Sequence, residues 1–148
     1  MIKFYSTRGE YGCFSNFSKH SFIVDGRIWM TSEHYYQAQK HIENKEYYDK
    51  IHMALGPMDA AKLGRNSSNT FRKDWDEVKL NVMKEVILLK FLSNTSAQKV
   101  LLSTGEKELI EASLTDNYWG EGKDGKGENN LGKILMSVRK ILKNIIEK

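Results

Sequence analysis

The stretch from Asp74 to Leu92, DWDEVKLNVMKEVILLKFL, sets the strongest limit on what this chain can fold into. Trp75, Val78, Val82, Val86 and Leu89, with Met83, Ile87 and Phe91 beside them, recur at helical spacing. Such a segment is expected to be the central core helix.

The remaining elements are shorter. Ile2 to Tyr5 alternates as a strand, and Thr7 to Gly12 forms a loop around Gly9 and Gly12. Phe22–Val24 and Arg27–Trp29, joined by Asp25-Gly26, make a hairpin with a preferred turn dipeptide. Helices are expected over Thr31–Ile42, Glu46–Leu55, Met58–Gly64 and Ser96–Leu102, with Gly56-Pro57 dividing the second from the third. Gly64 is expected to supply a positive φ at the end of its helix, and Gly105 to close the one after Ser96. Glu108 to Ser113 is a returning strand. The last helix has the register Leu131, Ile134, Leu135, Val138, Ile141 and Ile145. Strands first, then helices, then one more strand is an α+β pattern, not the regular alternation of a parallel α/β fold. The expected fold is mainly helical, a single domain over residues 1–148 with a small antiparallel sheet.

Composition removes several classes of function. Hydrophobic residues make up 40% of the chain with one Pro, which excludes a disordered or repetitive protein. No apolar run reaches membrane-spanning length and MIKFYSTRGE has no signal-peptide core, so no membrane partner and a cytoplasmic location are expected. The single cysteine, Cys13, agrees with a reducing compartment. A net charge of +4 suits a phosphate-bearing partner, but the charges are too scattered for general nucleic-acid binding.

Within TSEHYYQAQKHI, Glu33, Tyr36, Gln37 and Lys40 stand at i, i+3, i+4 and i+7. A helix there puts a carboxylate, a phenol, an amide and an amine on one face, capped by Thr31 or Ser32. Two readings stay open for these residues alone: a reactive face, or a solvated amphipathic helix with surface Glu and Lys.

Three further segments carry polar and aromatic groups together. In CFSNFS, Phe14 and Phe17 flank Ser15 and Asn16, so the rings either stack a planar heterocycle whose edge Asn16 reads or plug the core. LGRNSSNTFRKDW holds Arg65, Arg72 and intervening Asn, Ser and Thr residues as donors for phosphate, and ends at Trp75. TDNYWGEGKDGKGENN brings Asp116 and Trp119 beside a glycine loop whose backbone, from Gly120 onward, offers N–H groups to an anion. Asn129 or Asn130 either caps the helix that follows or binds a ligand. Gly120 to Gly125 matches G-x-G-x-x-G in form only, since no βαβ unit surrounds it.

No nucleophile elbow, P-loop, H-E-x-x-H or cysteine cluster is present, and His20, His34, His41 and His52 have no metal-ligand spacing. No metal and no cofactor are expected. What remains is Glu33, Asp116 and Lys40. Two carboxylates suit cleavage at an anomeric carbon, and a buried lysine suits imine formation with an opened sugar. The sequence leaves both routes open.

FYSTRGEYGCFSNFS, DGRIWMTSEHYYQAQK, LGRNSSNTFRKDW and DNYWGEGKDGKGENNLG with LMSVR, in that order, resemble the NADAR, or YbiA-like, family over nearly the whole chain. The resemblance implies an α+β N-glycosidase. YbiA-like members hydrolyse phosphorylated ribosylamino-pyrimidine intermediates of riboflavin biosynthesis, and other members remove ADP-ribose from guanine. The implied partner is therefore a small phosphorylated N-riboside or an ADP-ribosylated guanine, with nucleic acid entering only as modified substrate. A non-catalytic ADP-ribose or nucleotide sensor is the alternative from another class. By the same resemblance Glu33 is the catalytic acid and Lys40 the lysine of Schiff-base chemistry. Asp116 and Trp119 form a second cluster, Trp75 is a pocket tryptophan, and Asn16, Arg65 and Asn130 contact ligand.

Overall fold

The computed structural model describes residues 1–66 and 71–147. In chain order the elements are β1 (Ile2–Phe4), a 3-10 turn (Gly12–Phe14), β2 (Phe22–Val24), β3 (Arg27–Trp29), α1 (Ser32–Gln39), α2 (Lys45–His52), α3 (Pro57–Gly64), α4 (Trp75–Ser93), α5 (Thr95–Ser103), β4 (Leu109–Glu111) and α6 (Asn130–Ile146). The mainly helical α+β class and the element order agree with the sequence reading. The strands form two separate pairs, β2 with β3 antiparallel and β1 with β4 parallel. The parallel pair joins the first strand of the chain to the last, a long-range choice that strand patterning does not encode.

The chain divides into two compact units. The first holds Met1–Ser15 and Asn94–Lys148. In it β1 and β4 register Ile2 with Leu109 and Phe4 with Glu111, and α6 lies on β4. Gly132 makes that packing close, because a Cβ there would stand 2.1 Å from the Leu109 carbonyl oxygen. Asn129 adopts φ +52 just before α6, and its side chain accepts from the Glu111 N–H and donates to the Leu109 carbonyl, each at 2.9 Å. It ties the helix to the strand and makes no side-chain cap, contrary to the capping expectation. The apolar stripe of α6 buries Leu131, Ile134, Leu135, Val138 and Leu142, whereas Ile145, expected inside, is 54% exposed in the fraying last turn. Arg139 is buried in this stripe and donates to Thr104 Oγ1 and the Lys107 carbonyl, both at 2.8 Å.

The second unit is Asn16–Ser93. Its hairpin turns on Asp25 and Gly26, both at positive φ (51° and 78°), as a type I′ turn requires. Asn44 caps α2 by accepting from the Tyr47 N–H at 3.2 Å, and Pro57 opens α3. α1 packs on α2, α3 and α4 and is the centre of this unit. α4 buries Trp75, Met83, Val86, Ile87, Lys90 and Phe91. The stripe includes a lysine that periodicity alone would place outside: the Lys90 stem lies in the core and its ammonium sits 5.4 Å from the Phe91 ring centre.

Among the described residues no helix is long and apolar enough to cross a membrane.

Candidate active site

Every residue of α1 is buried, although most are polar. Burial of so many polar groups requires partners, and most of them have one, Gln37 Oε1 being an exception among the described residues. Thr31 Oγ1 accepts the His34 N–H at 3.2 Å and lies 2.7 Å from His34 Nδ1, whose opposite ring nitrogen reaches the Ala54 carbonyl at 3.1 Å. The Ser32 hydroxyl donates to Asn16 Oδ1 at 2.8 Å, and the Glu33 N–H donates to the Asn16 carbonyl at 3.1 Å. Asn16 thus fastens the first turn of α1, and its own amide reaches Met83 Sδ on α4 at 3.5 Å. Gln37 Nε2 donates to Glu33 Oε2 at 2.7 Å. With Glu33 5% and Lys40 8% exposed, the solvated-helix alternative falls.

Lys40 follows α1 directly, and its ammonium is ringed by Phe71, Tyr36 and Trp75, with ring centres 5.1, 5.7 and 5.9 Å away. The chain is held in this arrangement by backbone. The Arg72 N–H donates to the Lys40 carbonyl at 2.9 Å, and the Trp75 N–H to the Arg72 carbonyl at 3.2 Å, which brings α4's first residue onto the lysine. The Tyr36 and Trp75 rings then meet at 5.0 Å. Burial lowers the Lys40 pKa to about 8; Glu33 pulls it up, while Arg65 and Lys79 push it further down. At pH 7 Lys40 is still mostly charged, but roughly a tenth of it is neutral amine, far more than an ordinary lysine provides.

Several sequence expectations need correcting here. Arg72 does not offer its guanidinium to a phosphate: it forms a two-pronged pair with Asp74, at 2.6 and 3.0 Å. Gly64 is not at positive φ. It is a glycine for packing, since a Cβ would stand 2.2 Å from Gln37 Oε1. Gln37, expected to touch substrate, is buried with its donor on Glu33. Arg65 caps the end of α3 and is exposed. The donors expected at Ser67, Ser68, Asn69 and Thr70 lie outside the described residues. Phe14 is fully buried, edge-on to Phe4 and stacked on Tyr11, so it is core; Phe17 is half-buried.

The first unit carries the second set. Asp116 Oδ1 accepts the N–H groups of Tyr118 and Trp119 at 2.9 and 2.8 Å, and the Asp116 N–H donates to Ser113 Oγ at 3.1 Å. That is an Asx turn, and it fixes the half-buried Trp119 edge-on to Tyr118. The anion site expected of the glycine loop is not open. The N–H groups of Asn129, Asn130 and Leu131 already donate to the carbonyls of Gly120, Tyr118 and Trp119. Gly120 itself is pressed on β4, where a Cβ would stand 2.8 Å from the Glu111 carbonyl. Asn130 is half-buried as the first residue of α6.

The lysine cage adds two residues that sequence reasoning passed over. Phe71 is an aromatic four residues before Trp75 in a segment already singled out, which is the signal by which it could have been found. Lys79 lies one helical turn after Trp75 and acts on Lys40 electrostatically.

The NADAR domain model matches residues 3–143. The chain is 47% identical to the N-glycosidase Npun_R5314 of Nostoc punctiforme over 98% of this chain and 94% of that protein. It is 44% identical to the N-glycosidase YbiA of Escherichia coli, over 96% of this chain and 88% of that protein. The riboflavin biosynthesis protein VVA0006 of Vibrio vulnificus is 41% identical over 95% of this chain, which spans only 38% of that longer protein. The solved NMR structure of the E. coli protein YbiA superposes with a TM-score of 0.91 at 43% identity, covering 99% of this chain and 87% of that one.

Proposed function

The chain belongs to the NADAR family, and on that premise we propose that it is an N-glycosidase acting on phosphorylated ribosylamino-pyrimidines of the kind met in riboflavin biosynthesis. Relatives named N-glycosidase at 44 to 47% identity over nearly the full chain support the reaction class. The relative named for riboflavin biosynthesis supports the substrate class. One observation carries the chemistry: a buried carboxylate, Glu33, in the first turn of α1, and a buried lysine of lowered basicity, Lys40, two turns on where the helix ends.

The bond to be cut joins an anomeric carbon to the amine of the base. When the sugar ring opens, that carbon is an imine, open to attack. Neutral Lys40 adds to it, Glu33 moves the proton to the departing amine, and the base leaves as R–NH2. The lysine is then linked to the sugar as an iminium. Water adds to that carbon, the C–N bond to Lys40 breaks, and the sugar phosphate is released with the lysine restored. The sum is one water consumed, one free base and one free sugar formed. Phe71, Tyr36 and Trp75 keep the amine in surroundings that favour its neutral form. Arg65 supplies charge for the phosphate, and Asp116 orients Trp119 within its own loop.

The test is to incubate the protein separately with the ribosylamino-pyrimidine phosphate and with ADP-ribosylated guanine oligonucleotide, then identify products by mass spectrometry. Free pyrimidine from the first is the expected result. Free ADP-ribose from the second alone would replace the substrate, and binding of either with no product would replace the enzyme by a sensor. Borohydride added during turnover should fix a sugar-phosphate mass on Lys40. Turnover without any adduct would leave hydrolysis by Glu33 and water as the route.

A further inference from the structure

We propose that Gln37 is a positioning residue that holds Glu33 as an oriented carboxylate, and that Gly64 exists to make room for it. The inference rests on the reading of Glu33 as the acid–base group. Gln37 Nε2 donates to Glu33 Oε2 at 2.7 Å, in a bond formed one helical turn apart on α1. An amide N–H can only donate, so it matches an oxygen that accepts, and the hydrogen bond favours the ionised form of the carboxylate. With Oε2 tied, the plane of the carboxylate is set.

The amide is held in turn by the end of α3. Gln37 is 2% exposed, and the Gly64 Cα lies so close that an added Cβ would stand 2.2 Å from Oε1, 2.5 Å from Cβ and 2.7 Å from Cδ of Gln37. Gln37 Oε1 is buried and has no hydrogen-bond partner among the described residues. Among the described residues the amide is placed by the contact with Gly64 and the bond to Glu33. Gly64 is fixed from its other side, because its carbonyl meets His41 Nε2 at 3.0 Å. Residues Gln37 and His41, one turn apart on the same chain segment, therefore grip one glycine. A group that touched substrate would need an accessible polar atom, and this side chain is engaged or covered at both.

Glu33 interacts with Lys40 from α1's own end, Lys40 is in turn acted on by Arg65 from the end of α3 and Lys79 from α4, and Lys40 also acts on His41, the titratable group that meets the Gly64 carbonyl. His52 from α2 and Asp59 from α3 act instead on His34. Removing the amide leaves those cations in place, so the consequence at Glu33 is read directly.

Two measurements test the proposal, one of them independent of turnover. The Glu33 side-chain carboxyl is followed by ¹³C NMR against pH in the unmodified protein, Gln37→Leu and Gly64→Ala. The midpoint is expected to rise by about one pH unit in Gln37→Leu, as expected for loss of a donor to the charged form. Gly64→Ala, which changes no polar group, should move it the same way by pushing the amide off Oε2. Superimposed titrations of all three proteins overturn the proposal. In the free-base assay Gln37→Leu should lower kcat at least 10-fold with KM within about 3-fold, and shift the acidic limb of kcat/KM upward. A rise in KM alone would make Gln37 a substrate contact and overturn it. Gln37→Glu, close in size, guards against misfolding: its activity relative to the unmodified protein should recover as pH falls, when a shared proton restores a donor. A flat ratio would contradict the proposal. Full turnover by Glu33→Gln would remove the parent reading of Glu33, yet leave the NMR result standing.

Discussion

The Lys40 carbonyl accepts the Arg72 N–H at 2.9 Å, and this one backbone bond ties the end of α1 to the start of α4. It brings Phe71 and Trp75 around an ammonium that α1 alone could surround only with Tyr36. The cage depends on a contact between segments far apart in the chain, and so does the lowered basicity of the lysine.

Lys40→Met should therefore stabilise the protein while ending imine formation. The folded pKa of Lys40, about 8, lies below its unfolded value, so between pH 8 and 10.5 the unfolded chain holds more protons than the folded one. The cost of burying the charge is fully present below pH 8 and fades as pH rises toward 10.5. Thermal melts should show Lys40→Met melting higher than the unmodified protein at pH 7, with the gap shrinking by pH 10. A lower melting temperature at pH 7 would mean the cage stabilises the ammonium.

His34 sets an acid limit. Burial lowers its pKa, while the hydrogen bond to the Ala54 carbonyl offsets part of the effect. The unfolded chain takes up a proton near pH 6.5 that the folded chain resists, so stability held above that pH is lost as pH falls below it. Urea midpoints of the unmodified protein should drop between pH 6.5 and 5, and less steeply in His34→Gln. Parallel slopes would move the acid sensitivity to other groups.

Asn129 and Gly132 lock α6 to β4. Asn129→Ala leaves the Glu111 N–H and Leu109 carbonyl without their side-chain partner and should cost about 2 kcal/mol. Gly132→Ala forces a Cβ against the Leu109 carbonyl and should cost about 3 kcal/mol. Urea denaturation measures both; a Gly132→Ala protein as stable as the unmodified one would show that the helix can lift off the strand freely.

Local periodicity carried most of this fold in the sequence. α4 was legible because Met83, Val86, Ile87 and Phe91 repeat at helical spacing, and the polar face of α1 because Glu33, Gln37 and Lys40 do. Lys90 was not, since a long aliphatic stem can carry a charge into a stripe that its type assigns to solvent. Gly64 shows the other limit. A glycine at a helix end reads as a turn residue, and only the position of Gln37 on a neighbouring helix reveals that it is there for space. The glycine loop failed for a similar reason: its amides are offered by sequence, but the carbonyls of Tyr118, Trp119 and Gly120 take those at the α6 start.

Glu33 is proposed to perform the acid–base step of N-glycosidic cleavage, and the sharpest check of that role is Glu33→Gln. The substitution preserves size and removes only the ionisable group. With the ribosylamino-pyrimidine phosphate as substrate, release of free base should fall by at least about 10³-fold while the melting temperature stays within a few degrees of the unmodified protein. Turnover within a few-fold of the unmodified protein would contradict that role for Glu33.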